Sequence, residues 1–154
     1  MQRAVASFTH YGTQIPILGP AIGRIQAAVL RRSGGRIGGR WLGASVLTLI
    51  TIGRRTGAVR ETALIYVPAG DDGAIALLGA NAGNDHPPGW WWNLTAAETV
   101  EVVIGGQRRR MRWREAVGDE RDRLFATFVA AYPPAAHYAE YTDRVLPMAV
   151  LTPA

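Results

Sequence analysis

The chain of 154 residues contains no cysteine and no lysine, has only three histidines, and carries no acidic residue before Glu61. Without cysteine it can hold neither a disulfide nor a thiolate metal site. His10, His86 and His137 stand at spacings unsuited to a shared ion, so no metal is expected. The apolar run Trp41 to Gly53 is 13 residues long, short of the roughly 20 that span a bilayer. Met1 to Gly12 lacks the apolar core of a signal peptide, and the cytoplasm is the simplest compartment. A GxSxG elbow, a GxGxxG fingerprint, a Walker loop and a Ser-His-Asp or Cys-His signature are all missing, which leaves hydrolytic chemistry little support.

All seventeen cations are arginine, a usage that a GC-rich genome explains as readily as a binding role. Their placement says more than the net charge of +5: residues 1–60 hold nine arginines and no acid, whereas the remainder holds eight arginines against twelve acids. A hydrophobic fraction of 48% with nine prolines fits one domain with a real core, and excludes neither a barrel nor an α/β sandwich.

The segment Gly53-Arg54-Arg55-Thr56-Gly57-Ala58-Val59-Arg60 is the most informative. Glycines at 53 and 57 allow a tight turn with positive φ, letting backbone approach a ligand while three guanidinium forks gather beside it. A phosphate or carboxylate suits such a turn, and each charge-assisted hydrogen bond contributes roughly 1.5 to 3 kcal/mol. A solvated hairpin tip has the same composition. The flanks argue for more: Val46 to Ile52 reads as a buried strand and Glu61 to Val67 as its partner, with Ala63, Ile65 and Val67 on one face. Arg60, Thr62, Leu64 and Tyr66 share the other face, a mixture suited to a ligand groove.

Ile17 to Arg32 reads as a helix with Leu18, Ile22, Ile25 and Val29 in one apolar stripe and Arg24, Arg31 and Arg32 largely off it. A basic amphipathic helix packs on its own domain or lies on an anionic membrane. Ser33 to Gly43 reads as a flexible connector, Ala74 to Gly79 as a third strand, and Thr99 to Ile104 as a strand with Val100, Val102 and Ile104 inward. Beyond Gly105-Gly106, Arg108, Arg110, Arg112 and Arg114 share a face opposite Met111 and Trp113. That is the alternation of a half-exposed strand, and without exposed aromatics among the arginines no nucleic acid is expected. Asp119 to Tyr132 reads as an amphipathic helix with Leu124, Phe125 and Phe128 inward, and Leu146 to Leu151 as the last strand.

Two further segments carry function. Ala80 to Gly89 is a loop of small and turn-forming residues leading into Trp90-Trp91-Trp92-Asn93-Leu94. Small residues let a flat ring lie against backbone, and tryptophans supply apolar walls, although at most two of the three can line a pocket. Tyr132, Tyr138 and Tyr141 can cluster at one side of a cavity, or stand half-buried with their hydroxyls in water. An anion anchor, a ring platform and an aromatic wall, with no conspicuous acid or base, describe a protein whose organic cofactor carries the chemistry.

Gly-Arg-Arg-Thr-Gly followed by Arg60, the Ala-Asn-Ala-Gly loop, Pro-Gly-Trp-Trp-Trp-Asn-Leu, and Tyr-Pro with Tyr-Thr-Asp-Arg and Leu-Pro-Met-Ala-Val-Leu, in this order over residues 16–153, resemble the deazaflavin-dependent nitroreductase and quinone reductase family of actinobacteria. The resemblance implies an α+β split β-barrel, FMN-binding-like, of about six mostly antiparallel strands with an N-terminal helix and packing helices. One domain would span 1–154, with 1–43 as helix and connector. It implies coenzyme F420 as cofactor, with Arg54, Arg55 and Arg60 on its phosphate and oligoglutamate tail and Thr56, Gly57 and Thr62 beside them. Ala80, Asn81, Ala82 and Gly83 would lie by the deazaflavin, and Pro88, Gly89 and Trp90 would complete its pocket. Tyr66, Tyr132, Tyr138 and Tyr141 would face substrate, and Tyr138 or solvent would supply the proton. The expected activity is hydride transfer from F420H2 to a small-molecule acceptor: a quinone, an enone or a nitroaromatic. Peripheral contact with the inner face of the membrane would run through residues 17–32, and no oligomeric state is implied.

Two departures stand out. Many relatives read Ala-Ser-x-Gly-Gly where this chain has Gly79-Ala80-Asn81-Ala82-Gly83, so a serine hydroxyl is absent, and Ala135-Ala136 stands where a relative carries a further aromatic after Tyr-Pro. An FMN-dependent oxidoreductase on the same barrel, and a non-catalytic cofactor or lipid carrier, are the alternatives.

Overall fold

The computed structural model describes residues 1–7, 28–29 and 39–154. The helix expected over Ile17 to Arg32 and the connector from Ser33 therefore lie outside the described residues, apart from 28–29 and 39–43.

Strand periodicity builds the frame. The strands are β1 (Arg40–Trp41), β2 (Ala44–Ile52), β3 (Val59–Pro68), β4 (Ile75–Leu78), β5 (Thr99–Ile104), β6 (Gln107–Ala116) and β7 (Met148–Pro153). They pair antiparallel throughout, in the order β1-β2-β3-β4-β7-β6-β5. A further β2–β5 pairing, Leu49 opposite Val102, closes β2 to β7 into a six-stranded barrel without a free edge. The expectation of about six strands is met by the barrel. The seventh, β1, takes part of the expected connector and folds onto β2 as a two-residue hairpin, with Arg40 Nε and Nη2 donating to the Gly43 carbonyl.

Alternate residues face opposite ways, so every strand divides its side chains between two cores. Leu47, Leu49, Leu77, Val100, Val102, Met111, Ala149 and Leu151 fill the barrel interior, where Trp90, Trp91 and Leu94 of the short helix α2 (Gly89–Thr95) join them. Outside, Val67, Ala76, Leu78, Met148 and Val150 lie under Leu124 and Phe128 of α3 (Gly118–Ala131). Phe125 is only partly buried there, under the Arg121 guanidinium. A helical turn at residues 2–7, α1, places Ala6 in this outer core. β4 falls within the limits expected for it, whereas the last strand is shifted: β7 starts only after Pro147, which has no N–H for a ladder, and runs to Pro153.

Candidate functional site

Antiparallel register makes the arginine turn. Thr51 stands opposite Arg60 and Ile52 opposite Val59, so Gly53 to Ala58 must reverse the chain. The reversal is closed by Gly53 N donating to Ala58 O at 2.7 Å and by Thr56 N and Gly57 N donating to Gly53 O at 3.1 and 2.7 Å. Only Gly57 has the positive φ expected of both glycines, at +68°. Gly53 is needed for space instead: a Cβ there would sit 2.7 Å from Thr56 Oγ1 and 3.6 Å from Arg60 Nε. Arg54, Arg55 and Arg60 are exposed and, among the described residues, pair with no carboxylate. Arg54 lies over Trp92, its guanidinium carbon 5.2 Å from the ring centroid. Thr62 follows Arg60 on the inward-facing side of β3 and is half-buried.

Asn93 joins this turn to α2, accepting from Arg54 N at 3.1 Å and donating to Thr51 Oγ1 at 3.3 Å. The tryptophans then divide by function. Trp90 and Trp91 are buried edge to face at 5.8 Å in the barrel core, whereas Trp92 is 40% exposed. Trp90, expected at the cofactor pocket, thus presents little surface, and half-buried Pro88 and exposed Gly89 mark the approach to it.

The loop before α2 holds the sharpest backbone feature. Asn81, Ala82 and Gly83 adopt φ of 49°, 52° and 81°, three consecutive left-handed residues. For the two that carry a Cβ this costs about 1 to 2 kcal/mol each, and such strain gathers at ligand clamps. Hydrogen bonds offset it. Asn84 Nδ2 donates to Asn81 O at 2.8 Å and Asn81 Nδ2 to His86 O at 3.0 Å. His86 Nδ1 sits 3.1 Å from Pro87 O and 3.3 Å from Asn81 Nδ2, inside the loop's own network. At Gly83 a Cβ would overlap the Tyr138 carbonyl and lie 3.0 Å from Tyr141 Cβ, so only glycine lets the loop meet the tyrosine segment.

That segment is a 3-10 helix, Pro133–Glu140, rather than an extension of α3. Tyr132 and Tyr138 are 3% and 6% exposed, and the Tyr138 hydroxyl donates to that of Tyr132 at 3.4 Å. Tyr141 is half-buried, its hydroxyl 2.8 Å from Ser7 Oγ of α1. Arg3 reaches Glu140 at 3.0 Å, and His137 Nδ1 lies 2.7 Å from the other oxygen of that carboxylate. Hydrogen bonding by His137, with the charge of Arg3 beside it, holds Glu140 below its ordinary carboxylate value. Tyr66 stands apart from these three phenols: it packs with the barrel-interior cluster that contains Trp90 and Trp91. Of the four tyrosines expected on the substrate side, the structure brings three together and leaves the fourth on the far side of the barrel wall.

Two residues escaped sequence reasoning. Asn93 had no signal beyond following three tryptophans. Arg144, in the Tyr-Thr-Asp-Arg stretch, donates through Nε to Asn84 O at 2.8 Å and through Nη2 to Ala80 O at 2.6 Å, with Gly79 O and His86 O each 3.3 Å from Nη2. Burial lowers its pKa, opposed by the charge of Asp85. No three or more His, Cys, Asp or Glu side chains among the described residues group as a metal site, and no described helix is long and apolar enough to cross a membrane.

The family model of F420H(2)-dependent quinone reductases matches residues 22–153. An F420H(2)-dependent quinone reductase of Mycobacterium tuberculosis is 32% identical over 133 residues, covering 84% of this chain and 88% of that protein. A putative F420H(2)-dependent quinone reductase of the same organism is 29% identical over 100 residues, covering 65% and 82%. Among solved structures, an F420-H2-dependent reductase superposes with a TM-score of 0.62 at 31% identity, covering 69% of this chain and 92% of its own. A structure described as a domain-swapped dimer superposes with a TM-score of 0.64 at 29% identity, covering 83% and 95%. This chain belongs to the F420H(2)-dependent quinone reductase family, oxidoreductases whose cofactor is coenzyme F420.

Proposed function

We propose that this chain reduces planar, activated acceptors with F420H2, quinones first and enones and nitroaromatics on the same chemical ground. The observation that carries the reading is the continuity from the uncompensated arginine turn, through Asn93, to α2 and the loop that leads into it. Exposed guanidiniums that lack carboxylate partners among the described residues fit an anionic tail, and a glycine-dependent loop beside buried aromatics fits a flat ring.

Arg54, Arg55 and Arg60 would hold phosphate and glutamate carboxylates, with Thr56, Gly57 and Thr62 beside them. Ala80 to Gly83, Pro88, Gly89 and Trp90 would border the deazaflavin. When bound, the reduced cofactor supplies a hydride, two electrons and one proton, so an acceptor quinone needs one further proton to become a quinol. Tyr138 supplies that proton in this reading, its hydroxyl turning to the acceptor from the Tyr132 oxygen to which it donates at 3.4 Å. The burial of both phenols keeps water from competing at this position. Tyr141 would meet the acceptor from the side covered by α1. Tyr66 would border the acceptor from the barrel-interior face that also carries Arg60 and Thr62. Quinones reside in lipid, and residues 17–32 would bring the site to an anionic surface.

The direct test is oxidation of F420H2 by a soluble menaquinone analogue, a cyclic enone and a nitroimidazole in parallel. Turnover of the quinone supports the reading, and turnover of none would leave a cofactor carrier. Retained affinity with full kcat in Tyr138→Phe would remove Tyr138 from the proton-donor role.

A further inference from the structure

The Arg144 guanidinium occupies the gap between two loops that belong to different parts of the candidate site. It follows the tyrosine segment in sequence, yet its side chain is spent on the loop some 60 residues earlier, on the carbonyls of Gly79, Ala80, Asn84 and His86 at 2.6 to 3.3 Å. These four carbonyls bracket the left-handed turn Asn81–Gly83 on both sides. A planar fork with donors in fixed geometry reaches acceptors set this far apart at once, which an ammonium cannot. Arg144 Nη1 is buried as well and has no hydrogen-bond partner among the described residues. A half-buried guanidinium that keeps one nitrogen buried and unpartnered is poorly explained as a contributor to stability alone.

We infer that Arg144 is a positioning residue for the cofactor's ring: it sets the shape of the Ala80–Gly83 platform without touching the cofactor, and so governs ring affinity separately from the arginine turn that governs the tail. This rests on the proposed placement of the deazaflavin against that loop. The packing of Gly83 on Tyr138 and Tyr141 adds a second consequence, since a platform that shifts also shifts the phenols.

The experiment compares two ligands by equilibrium titration: intact F420, and the deazaflavin–ribitol fragment that lacks phosphate and glutamates. Arg144→Ala is expected to weaken both by the same factor, tenfold or more, whereas Arg55→Ala weakens intact F420 alone. Millimolar guanidinium should restore fragment binding to Arg144→Ala and leave the wild type unchanged. Should Arg144→Ala not fold, Arg144→Lys decides, because an ammonium keeps the charge and reaches fewer of the carbonyls; a common, smaller loss for both ligands is expected. Fragment affinity equal to wild type in the variant that folds overturns the inference while the cofactor reading stands. A wild-type protein that binds neither ligand overturns both.

Discussion

The two ends of the candidate site are built on opposite plans. The arginine turn is held by short-range backbone bonds, its guanidiniums are exposed, and its distant partners among the described residues are Trp92 and Asn93. The platform at residues 79–84 is largely buried, left-handed at three successive residues, and tied to the segment 138–144 by contacts that cross more than 50 positions of sequence. One end recognises charge and tolerates movement, as suits a flexible polyanionic tail. The other is shaped in advance, as suits a rigid ring whose reactive carbon must meet an acceptor.

The largest effect should come from adding one methyl group to the shaped end. Gly83→Ala would place a Cβ against the Tyr138 carbonyl at positive φ, so we expect a loss of about 2 to 3 kcal/mol of stability. Thermal unfolding measures that loss, and fragment titration should show ring binding lost with it. An unperturbed variant would mean that the loop and the tyrosine segment are not in contact. At the charged end, Arg55→Ala or Arg60→Ala should raise the Kd of F420 about tenfold, equivalent to roughly 1.4 kcal/mol, with melting temperature unchanged. Salt sharpens the contrast: intact F420 should bind more weakly as ionic strength rises, while the tail-less fragment stays nearly constant. Equal salt dependence for both ligands would erase the distinction between the ends.

Trp92→Ala should have a smaller effect, about threefold on F420 affinity, because the cation–π contact that orients Arg54 is exposed and contributes roughly 0.5 to 1 kcal/mol. The smallest concerns α1. The carboxyl of Glu140 is lowered in the folded state, first by the His137 hydrogen bond and then by Arg3, so its contribution is present above its unfolded value and lost as pH falls through the depressed one. Amide-exchange protection of residues 2–7 should therefore decline on acidification into that range, and Glu140→Gln should flatten the response.

The same contrast governs what could be read from sequence. The arginine turn was legible because everything that makes it is local: a β-branched strand, two glycines, three arginines and a second strand. The division of β3 into an Arg60, Thr62, Leu64, Tyr66 face and an Ala63, Ile65, Val67 face followed from period two alone; which of them turns into the barrel is set by the closure of the sheet. What was misjudged locally was the reason for Gly53, because crowding by Thr56 and Arg60 depends on how the turn closes. The platform was legible only as a loop of small residues. Its left-handed geometry, the dependence of Gly83 on Tyr138 and the bracket formed by Arg144 are contacts between distant segments, and no periodicity announces them. Tyr66 shows the same limit from the other side: its place in a different core from Tyr132, Tyr138 and Tyr141 is set by the barrel's closure and not by its neighbours in sequence.

The most direct test of the two-part site is an equilibrium titration of the protein with F420 and with FMN, followed by quenching of tryptophan fluorescence at low and high salt. Saturable micromolar binding of F420 that weakens with salt, with no saturation by FMN, is the expected result. Binding of FMN as tight as that of F420 would contradict it, because neither the arginine turn nor the platform would then be selecting the deazaflavin cofactor.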